Sequence, residues 1–351
     1  MATLLLTGGG TAGHVIPHLA LLPYLKNSFD KIVYIGSKNG IEKSIIEKAN
    51  IPYYSIPCAK LSRTEKLKNF TMPFKVLSGI SRAKKLIREI KPDVIFSKGG
   101  YVSVPVVIAG AKLNVPVIAH ESDLTVGLAN KVCAKYAKKI LTTFPETAKE
   151  VKNGQYVGPP LKDELFTVNK STALKSFGFN GEKPVLLVTG GSLGAVALNN
   201  AVIGALPELL KSFDIIHVVG KGNLKNMKIR QGYFPTEFLS QMEMAFACAD
   251  VCVTRAGSNT LFELLALKIP CIAVPLPATA SRGDQIVNAE YFQKKGLLEV
   301  LPQRALSTKS LTLSISGVYK NRSLLKSNLD KTPITSATAK IADIILNYKH
   351  L

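Results

Sequence analysis

Two glycine-rich turns, with hydroxyl, amide and carboxylate side chains near them, give this chain the means to hold phosphate and sugar groups. Gly8-Gly9-Gly10-Thr11-Ala12-Gly13 follows the apolar run Leu4-Leu5-Leu6 and leads to His14. Gly190-Gly191-Ser192-Leu193-Gly194-Ala195 follows Leu186-Leu187-Val188 in the same way. Glycines let backbone N–H groups close on an anion, and the helix after such a turn offers its free N–H groups and positive dipole end. A third turn, Arg255-Ala256-Gly257-Ser258-Asn259-Thr260, follows the strand-like Asp250–Thr254 and opens a helical pattern containing Glu263. A carboxylate about one turn into that helix can accept two hydrogen bonds from a ribose diol. Ser258 or Asn259 as a plain N-cap, with Glu263 as a solvated first-turn acid, accounts for the same local residues equally well.

The first turn satisfies G-x-G-x-x-G, but a dinucleotide site also needs an acid at the end of the next strand to hold the ribose. That strand ends Tyr34-Ile35-Gly36-Ser37, and Asp30 comes before it, so an NAD site is not expected. Imidazole accepts protons near neutral pH, which makes His14 a candidate general base; Glu121 is the other candidate. The chain has no D-x-D pair, and His14 and His18 lack the glutamate of H-E-x-x-H. No metal site and no cofactor are expected. A leaving diphosphate would then be stabilised by N–H and hydroxyl groups alone. The cysteines (Cys58, Cys133, Cys248, Cys252, Cys271) stand scattered in apolar contexts and read as buried, reduced thiols.

These residues need strands to carry them. The segment Leu4–Gly9 reappears as Leu186–Gly191, in each case a short apolar run, then glycines, then a helical pattern. Lys31–Ile35, Val94–Phe96, Val115–Ala119 and Ile140–Thr142 read as strands in the first half, and Ile215–Val219, Val251–Thr254 and Cys271–Val274 in the second. Strands alternating with helices mean parallel sheets in an α/β architecture. A chain of 351 residues suits two domains, and Gly158-Pro159-Pro160 is the expected boundary. The expected division is 1–160, 161–334 and a terminal helix within 335–351 that packs back toward the N-terminal domain.

Charge is the unusual bulk property: 45 Lys and Arg against 24 Asp and Glu, a net +21. The excess concentrates in residues 60–91, where Lys66, Lys68 and Lys75 alternate with Leu67, Phe70, Met72 and Phe74. Apolar side chains flanked by lysines suit a segment lying on an anionic leaflet. For residues 75–91, a helix packing Leu77, Ile80 and Ile87 inward under a solvated basic face accounts for part of the pattern. No apolar run approaches the ~20 residues of a membrane span, and the N-terminus lacks a basic leader, so a cytosolic location is expected.

Taken in order, Gly8–His14, Lys98-Gly99-Gly100-Tyr101-Val102-Ser103, His120-Glu121-Ser122-Asp123, Gly190–Ala195, Arg255–Glu263 and Asp284-Gln285-Ile286-Val287-Asn288-Ala289 form a specific series. It resembles the MurG family of peptidoglycan N-acetylglucosaminyltransferases over about the whole chain, and most closely a Gram-positive-type branch. The resemblance implies the GT-B arrangement, two Rossmann-like domains facing across a cleft. It also implies inverting transfer of N-acetylglucosamine from its UDP ester to lipid I, giving lipid II, at the cytoplasmic membrane face. On the donor side it implies Gly191, Ser192, Gly257, Asn259 and Thr260 at the diphosphate, with Arg255 supporting the turn or pairing with phosphate. Leu239 would lie against the uracil, Glu263 on the ribose, and Asp284, Gln285 and Asn288 on the sugar. On the acceptor side it implies His14, Tyr101 and Glu121 with Gly9, Gly10, Thr11, Gly13, Asp123 and Lys162. Its partners would be the membrane surface and other cell-wall synthesis proteins, with no nucleic acid. Leu193, Asp123 and Lys162 depart from the family pattern, where Gln, Asn and Arg are common. Another GT-B enzyme, such as a glycolipid glucosyltransferase or a UDP-N-acetylglucosamine epimerase, is the alternative. A basic nucleic-acid-binding protein is the alternative from a different class.

Overall fold

The computed structural model describes residues 1–59, 71–191, 194–224 and 227–349. It forms two compact units, one of Met1–Lys162 with the chain from Ser336 onward, the other of Asp163–Thr335.

The first unit is built on a seven-stranded, all-parallel sheet. Its strands are β1 (Thr3–Thr7), β2 (Lys31–Ser37), β3 (Tyr53–Ile56), β4 (Val94–Ser97), β5 (Val117–Glu121), β6 (Lys139–Thr142) and β7 (Gly154–Tyr156). Their spatial order is β3-β2-β1-β4-β5-β6-β7. Every residue of β1, β4 and β5 is buried, as befits strands covered by helices on both faces. Alternate residues of β1 feed opposite cores: Leu4 and Leu6 meet Leu21, Tyr34 and Phe96, whereas Leu5 meets Val33, Leu86 and Val107. The terminal helix Thr338–Leu346 places Ile341, Ala342 and Ile345 in the first of these cores. Its start is pinned to the Pro pair, with Ala337 N–H donating to Pro159 O at 2.8 Å and Thr338 Oγ1 to Leu161 O at 2.6 Å.

Helix Met72–Ile90 buries Gly79, Ala83, Leu86, Ile87 and Ile90. Leu77, expected to face inward, is instead 62% exposed beside Phe74 at 74%. The reason is periodicity: two residues from Gly79 is about 200° round the helix, on the far side from the buried stripe. Lys66, Leu67, Lys68 and Phe70 lie outside the described residues. No helix among the described residues is long and apolar enough to cross a membrane.

The second unit has a six-stranded, all-parallel sheet: β8 (Val185–Thr189), β9 (Asp214–Val218), β10 (Tyr233–Thr236), β11 (Ala249–Thr254), β12 (Cys271–Ala273) and β13 (Glu299–Val300). Their order is β10-β9-β8-β11-β12-β13. In each unit the first strand is central, and the winding direction reverses beside it, between β1 and β4 and between β8 and β11. Open α/β sheets bind ligands outside the carboxyl ends of the strands at such a reversal. The sequence pattern does not pick out β3, β7, β10 and β13, which are short and lie toward the sheet edges. β5 runs two residues past its expected end, so His120 and Glu121 are strand residues rather than loop residues.

Candidate functional site

In the first unit, three motif loops leave the carboxyl ends of adjacent strands. Parallel register aligns Thr7 with Ser97 and Ser97 with Ala119, so the loops after β1, β4 and β5 emerge side by side. Gly10 at φ +92° and Gly100 at φ +80° adopt a backbone conformation that side chains resist. A Cβ on Gly100 would overlap the Gly9 carbonyl oxygen, and one on Gly10 would lie 2.7 Å from the Tyr101 ring. The first two loops therefore interlock through positions where only glycine fits.

His14 ends a single 3₁₀ turn, Ala12–His14, and its Nδ1 lies 3.1 Å from the Lys98 carbonyl oxygen. A carbonyl can only accept, so Nδ1 carries the proton in that contact and the basic lone pair is on Nε2. That tautomer is the one a general base needs. Glu121 sits differently. Its Oε1 accepts from Asp123 N–H at 3.0 Å, and its Oε2 from Gly127 N–H at 2.9 Å and Asn130 Nδ2 at 3.0 Å. With both oxygens holding the loop, this buried carboxylate has the geometry of a structural clamp.

Two further charged residues, not singled out from the sequence as site residues, organise the same loops. Glu42, in the first turn of helix Ile41–Lys48, is fully buried. Its carboxylate accepts from Ser37 N–H at 3.0 Å, from the Ser37 hydroxyl, and from Gly10 N–H at 3.3 Å. The Gly10 N–H expected at a diphosphate is thus already paired with an acid. Lys98 is 1% exposed; its Nζ lies 2.6 Å from His120 Nδ1 and contacts the Ser122 hydroxyl. Burial pulls its ammonium down to about 7, against the opposing pull of Glu121 and Asp123. Burial, and next the Lys98 charge, hold His120 well below the usual imidazole range, so it is a neutral acceptor for Lys98. A buried lysine and an acid five residues past a strand carry no distinctive spacing, which is why only the folded loops identify them.

Tyr101 also lines a groove of about 410 Å³ with Ser37, Asn39, Cys58 and Lys75. Burial pushes the Cys58 thiol up to about 12, leaving it a poor nucleophile. Thr11 is exposed, Gly13, Asp123 and Lys162 are half-buried, and Lys162 is the last residue of the unit's first segment. Among the described residues, no group of three or more His, Cys, Asp or Glu could hold a metal ion.

In the second unit the corresponding edge is built mainly from backbone donors and uncharged side chains. Gly191 (φ +81°) turns the chain after β8, while Ser192 and Leu193 lie outside the described residues. Arg255 follows β11 and is 8% exposed. Its backbone N–H donates to Thr189 O at 3.3 Å and its side-chain Nη1 to Val274 O at 3.0 Å, so backbone and side chain together tie the end of β11 to the end of β8 and to the residue after β12. Gly257 caps helix Ser258–Ala266 with an extended φ of −68° and ψ of 129°. Asn259, Thr260 and Glu263 are all half-buried and share one face through i,i+3 and i,i+4 spacing. Leu239 follows the carboxyl end of β10 and is half-buried.

Beyond β12, Gln285 accepts from Leu276 N–H at 3.0 Å, and Asp284 pairs with Arg282 Nε at 3.4 Å. Asn288, expected to read a sugar hydroxyl, is fully buried. His217 belongs to the interior: Nδ1 lies 3.0 Å from the Tyr233 hydroxyl and Nε2 3.1 Å from Asn199 Oδ1.

Comparison with known proteins covers both units. Residues 4–142 match the glycosyltransferase family 28 N-terminal domain, and residues 185–345 match its C-terminal domain. A UDP-N-acetylglucosamine–N-acetylmuramyl-(pentapeptide) pyrophosphoryl-undecaprenol N-acetylglucosamine transferase of Clostridium botulinum is 46% identical, covering 99% of both chains. The protein of the same name from Lachnospira eligens is 46% identical over 98% of this chain and 99% of its own. Among solved structures, MurG from Acinetobacter baumannii superposes with a TM-score of 0.76 at 25% identity, covering 99% of this chain and 100% of that one.

Proposed function

The chain belongs to glycosyltransferase family 28, and from that premise we propose that it transfers N-acetylglucosamine from UDP-N-acetylglucosamine to the undecaprenyl-pyrophosphoryl muramyl-pentapeptide, lipid I, with inversion. The observation that carries this reading is the matched pair of switch points: at each, the loops of the family series leave the carboxyl ends of adjacent central strands. The relatives' shared activity supplies the substrates.

The second unit takes the donor. The N-terminus of helix Ser258–Ala266 and the Thr260 hydroxyl receive the UDP diphosphate, with Gly191 and Ser192 completing the cradle. Glu263 takes the ribose hydroxyls, Leu239 the uracil, and Asp284 and Gln285 the sugar. Arg255 acts by holding the turn. As the glycosidic bond to the diphosphate breaks, negative charge grows on the leaving oxygen, and these preorganised donors stabilise it without a metal ion.

The first unit takes the acceptor. Thr11, Gly13 and the start of the helix after His14 meet its pyrophosphate, while Gly9 and Gly10 set the turn. His14 Nε2 removes the proton from the attacking sugar hydroxyl, and Glu121 keeps its loop in place. Tyr101 and Lys162 border the acceptor. The Phe74 and Leu77 face, with Lys75 beside it, rests on an anionic cytoplasmic leaflet. Other cell-wall enzymes are natural neighbours there.

Labelled UDP-N-acetylglucosamine incubated with a lipid I analogue in chelator tests the reaction. Label in the lipid fraction is the expected result; none would overturn it. Vesicle binding should rise with anionic lipid and drop about tenfold in an F74S/L77S variant. Binding indifferent to both would remove the membrane assignment.

A further inference from the structure

An acceptor carrying a pyrophosphate brings negative charge to a set of loops that already holds two acids, Glu121 and Asp123. Like charges at such range cost affinity unless something opposes them. The structure supplies an opposing charge from below. Lys98 lies almost wholly out of solvent, and its ammonium contacts the Ser122 hydroxyl, the residue between those two acids, and His120 Nδ1 at 2.6 Å. The same residue reaches the other acceptor loop through its backbone. Its N–H donates to Thr7 O at 2.9 Å at the end of β1, and its carbonyl accepts from His14 Nδ1. One buried residue therefore touches the loops after β1 and β5 while standing in the loop after β4.

We infer that Lys98 is a positioning and charge-compensating residue of the acceptor site, and that its ammonium is what allows a carboxylate at position 123 beside an anionic diphosphate. This rests on the assignment of the first unit to the pyrophosphoryl acceptor. Lys98 touches no substrate. It acts through Ser122 and Asp123, whose loop it fixes and whose charge it offsets, and through the His14 ring that its carbonyl orients. A buried cation is costly unless opposed by negative charge; Glu121 first and Asp123 second supply that opposition to Lys98, and on this inference Lys98 and Asp123 act as a coupled pair. Their effects should be coupled and not additive.

The test is a double-mutant cycle of K98M, D123N and K98M/D123N, with transfer kinetics measured near pH 6, where Lys98 keeps its proton, against a muramyl-pentapeptide pyrophosphoryl polyprenol at saturating donor. K98M leaves two unopposed acids and should raise the acceptor KM about tenfold, with kcat changing less. D123N in that background should recover most of the loss, a rescue that a purely structural role would not produce. D123N alone should lower the acceptor KM by about threefold, because it leaves Lys98 in excess. That single variant carries the test if K98M does not fold, which unchanged UDP affinity and thermal melting would decide. Additive effects, or a D123N variant with raised acceptor KM, would overturn the pairing. Absence of transfer by the unmodified protein would instead remove the acceptor reading, and the pairing with it.

Discussion

The two switch points share a topology and differ in where they keep charge. After β1, β4 and β5 the loops rest on buried ionisable groups: Glu42 on Gly10 N–H, Lys98 on His120 and Ser122, and Glu121 on three donors. After β8 and β11, among the described residues, the buried charge at the turn is Arg255, anchored to a backbone carbonyl, and the acid of the helix that follows, Glu263, is only half-buried. A helix N-terminus, with its positive dipole end and backbone N–H groups, suits a diphosphate that arrives and leaves. A loop set locked by internal acids and bases suits the placement of one imidazole. Sheet order fixes where a ligand binds, and loop chemistry decides what is done there.

The largest expected effect tests the imidazole. H14A should lower kcat by about 10²- to 10⁴-fold, the range for losing a general base, while UDP binding, measured by calorimetry on the second unit's site, stays unchanged. Equal loss in an E121Q variant that still melts like the parent would transfer the role to Glu121.

Next come the glycines, which separate packing from ligand approach. G100A places a Cβ onto the Gly9 carbonyl at positive φ and should cost about 1–3 kcal/mol of stability in the first unit. Gly257 has an ordinary extended φ and open space for a Cβ, so G257A meets no steric strain, and its cost is that of a poorer N-cap, about 0.5–1 kcal/mol, partly offset by the reduced entropy of the unfolded chain. If the UDP diphosphate closes on that turn, G257A will nonetheless weaken UDP binding. Stability retained with UDP affinity intact would show that the ligand stays clear of it.

E263A probes the ribose contact. It should weaken UDP binding about tenfold through two lost charge-assisted hydrogen bonds and leave the KM for the acceptor unaltered. The same variant compared on UDP and on inorganic pyrophosphate sharpens the point, because only the nucleoside should register the change.

Some of this is legible in the sequence. Strong apolar runs such as Leu4–Leu6 and Leu186–Val188 mark central buried strands because burial on both faces removes polar alternation. The glycine turns announce themselves through composition. Edge strands such as β7 (Gly154–Tyr156) and β13 (Glu299–Val300) do not, since partial exposure leaves a mixed sequence that reads as loop. Leu77 was misplaced because a basic amphipathic helix carries apolar residues on two faces, and residue counting alone does not say which face meets the core. Glu42 and Lys98 were invisible as site residues for another reason. Their importance comes from burial and from partners in distant segments, which no local pattern encodes.

The smallest effect is also the one that separates the two units by pH. His18 in the first unit is pushed down to about 3, by burial first and Lys98 second, and His217 in the second is pushed down to about 4 by burial. Because these folded values lie below the ordinary 6.5, the unfolded chain binds protons first, and both units lose stability as pH falls below 6.5. Lys98 extends the same sign upward in the first unit alone. Its folded value near 7 lies below the usual 10.5, so the unfolded chain holds more protons through that interval and stability rises with pH. Between pH 7 and about 8.5, before thiols ionise in the unfolded chain, amide exchange should slow in the core strands of the first unit after correction for the intrinsic rate. The core of the second should show no such gain. K98M should flatten the first unit's slope to match the second, because it removes the titrating group while leaving His18 and His120 buried. A slope that persists in K98M would place its origin elsewhere in the first unit and would weaken the case that Lys98 is held in the interior as a titratable cation.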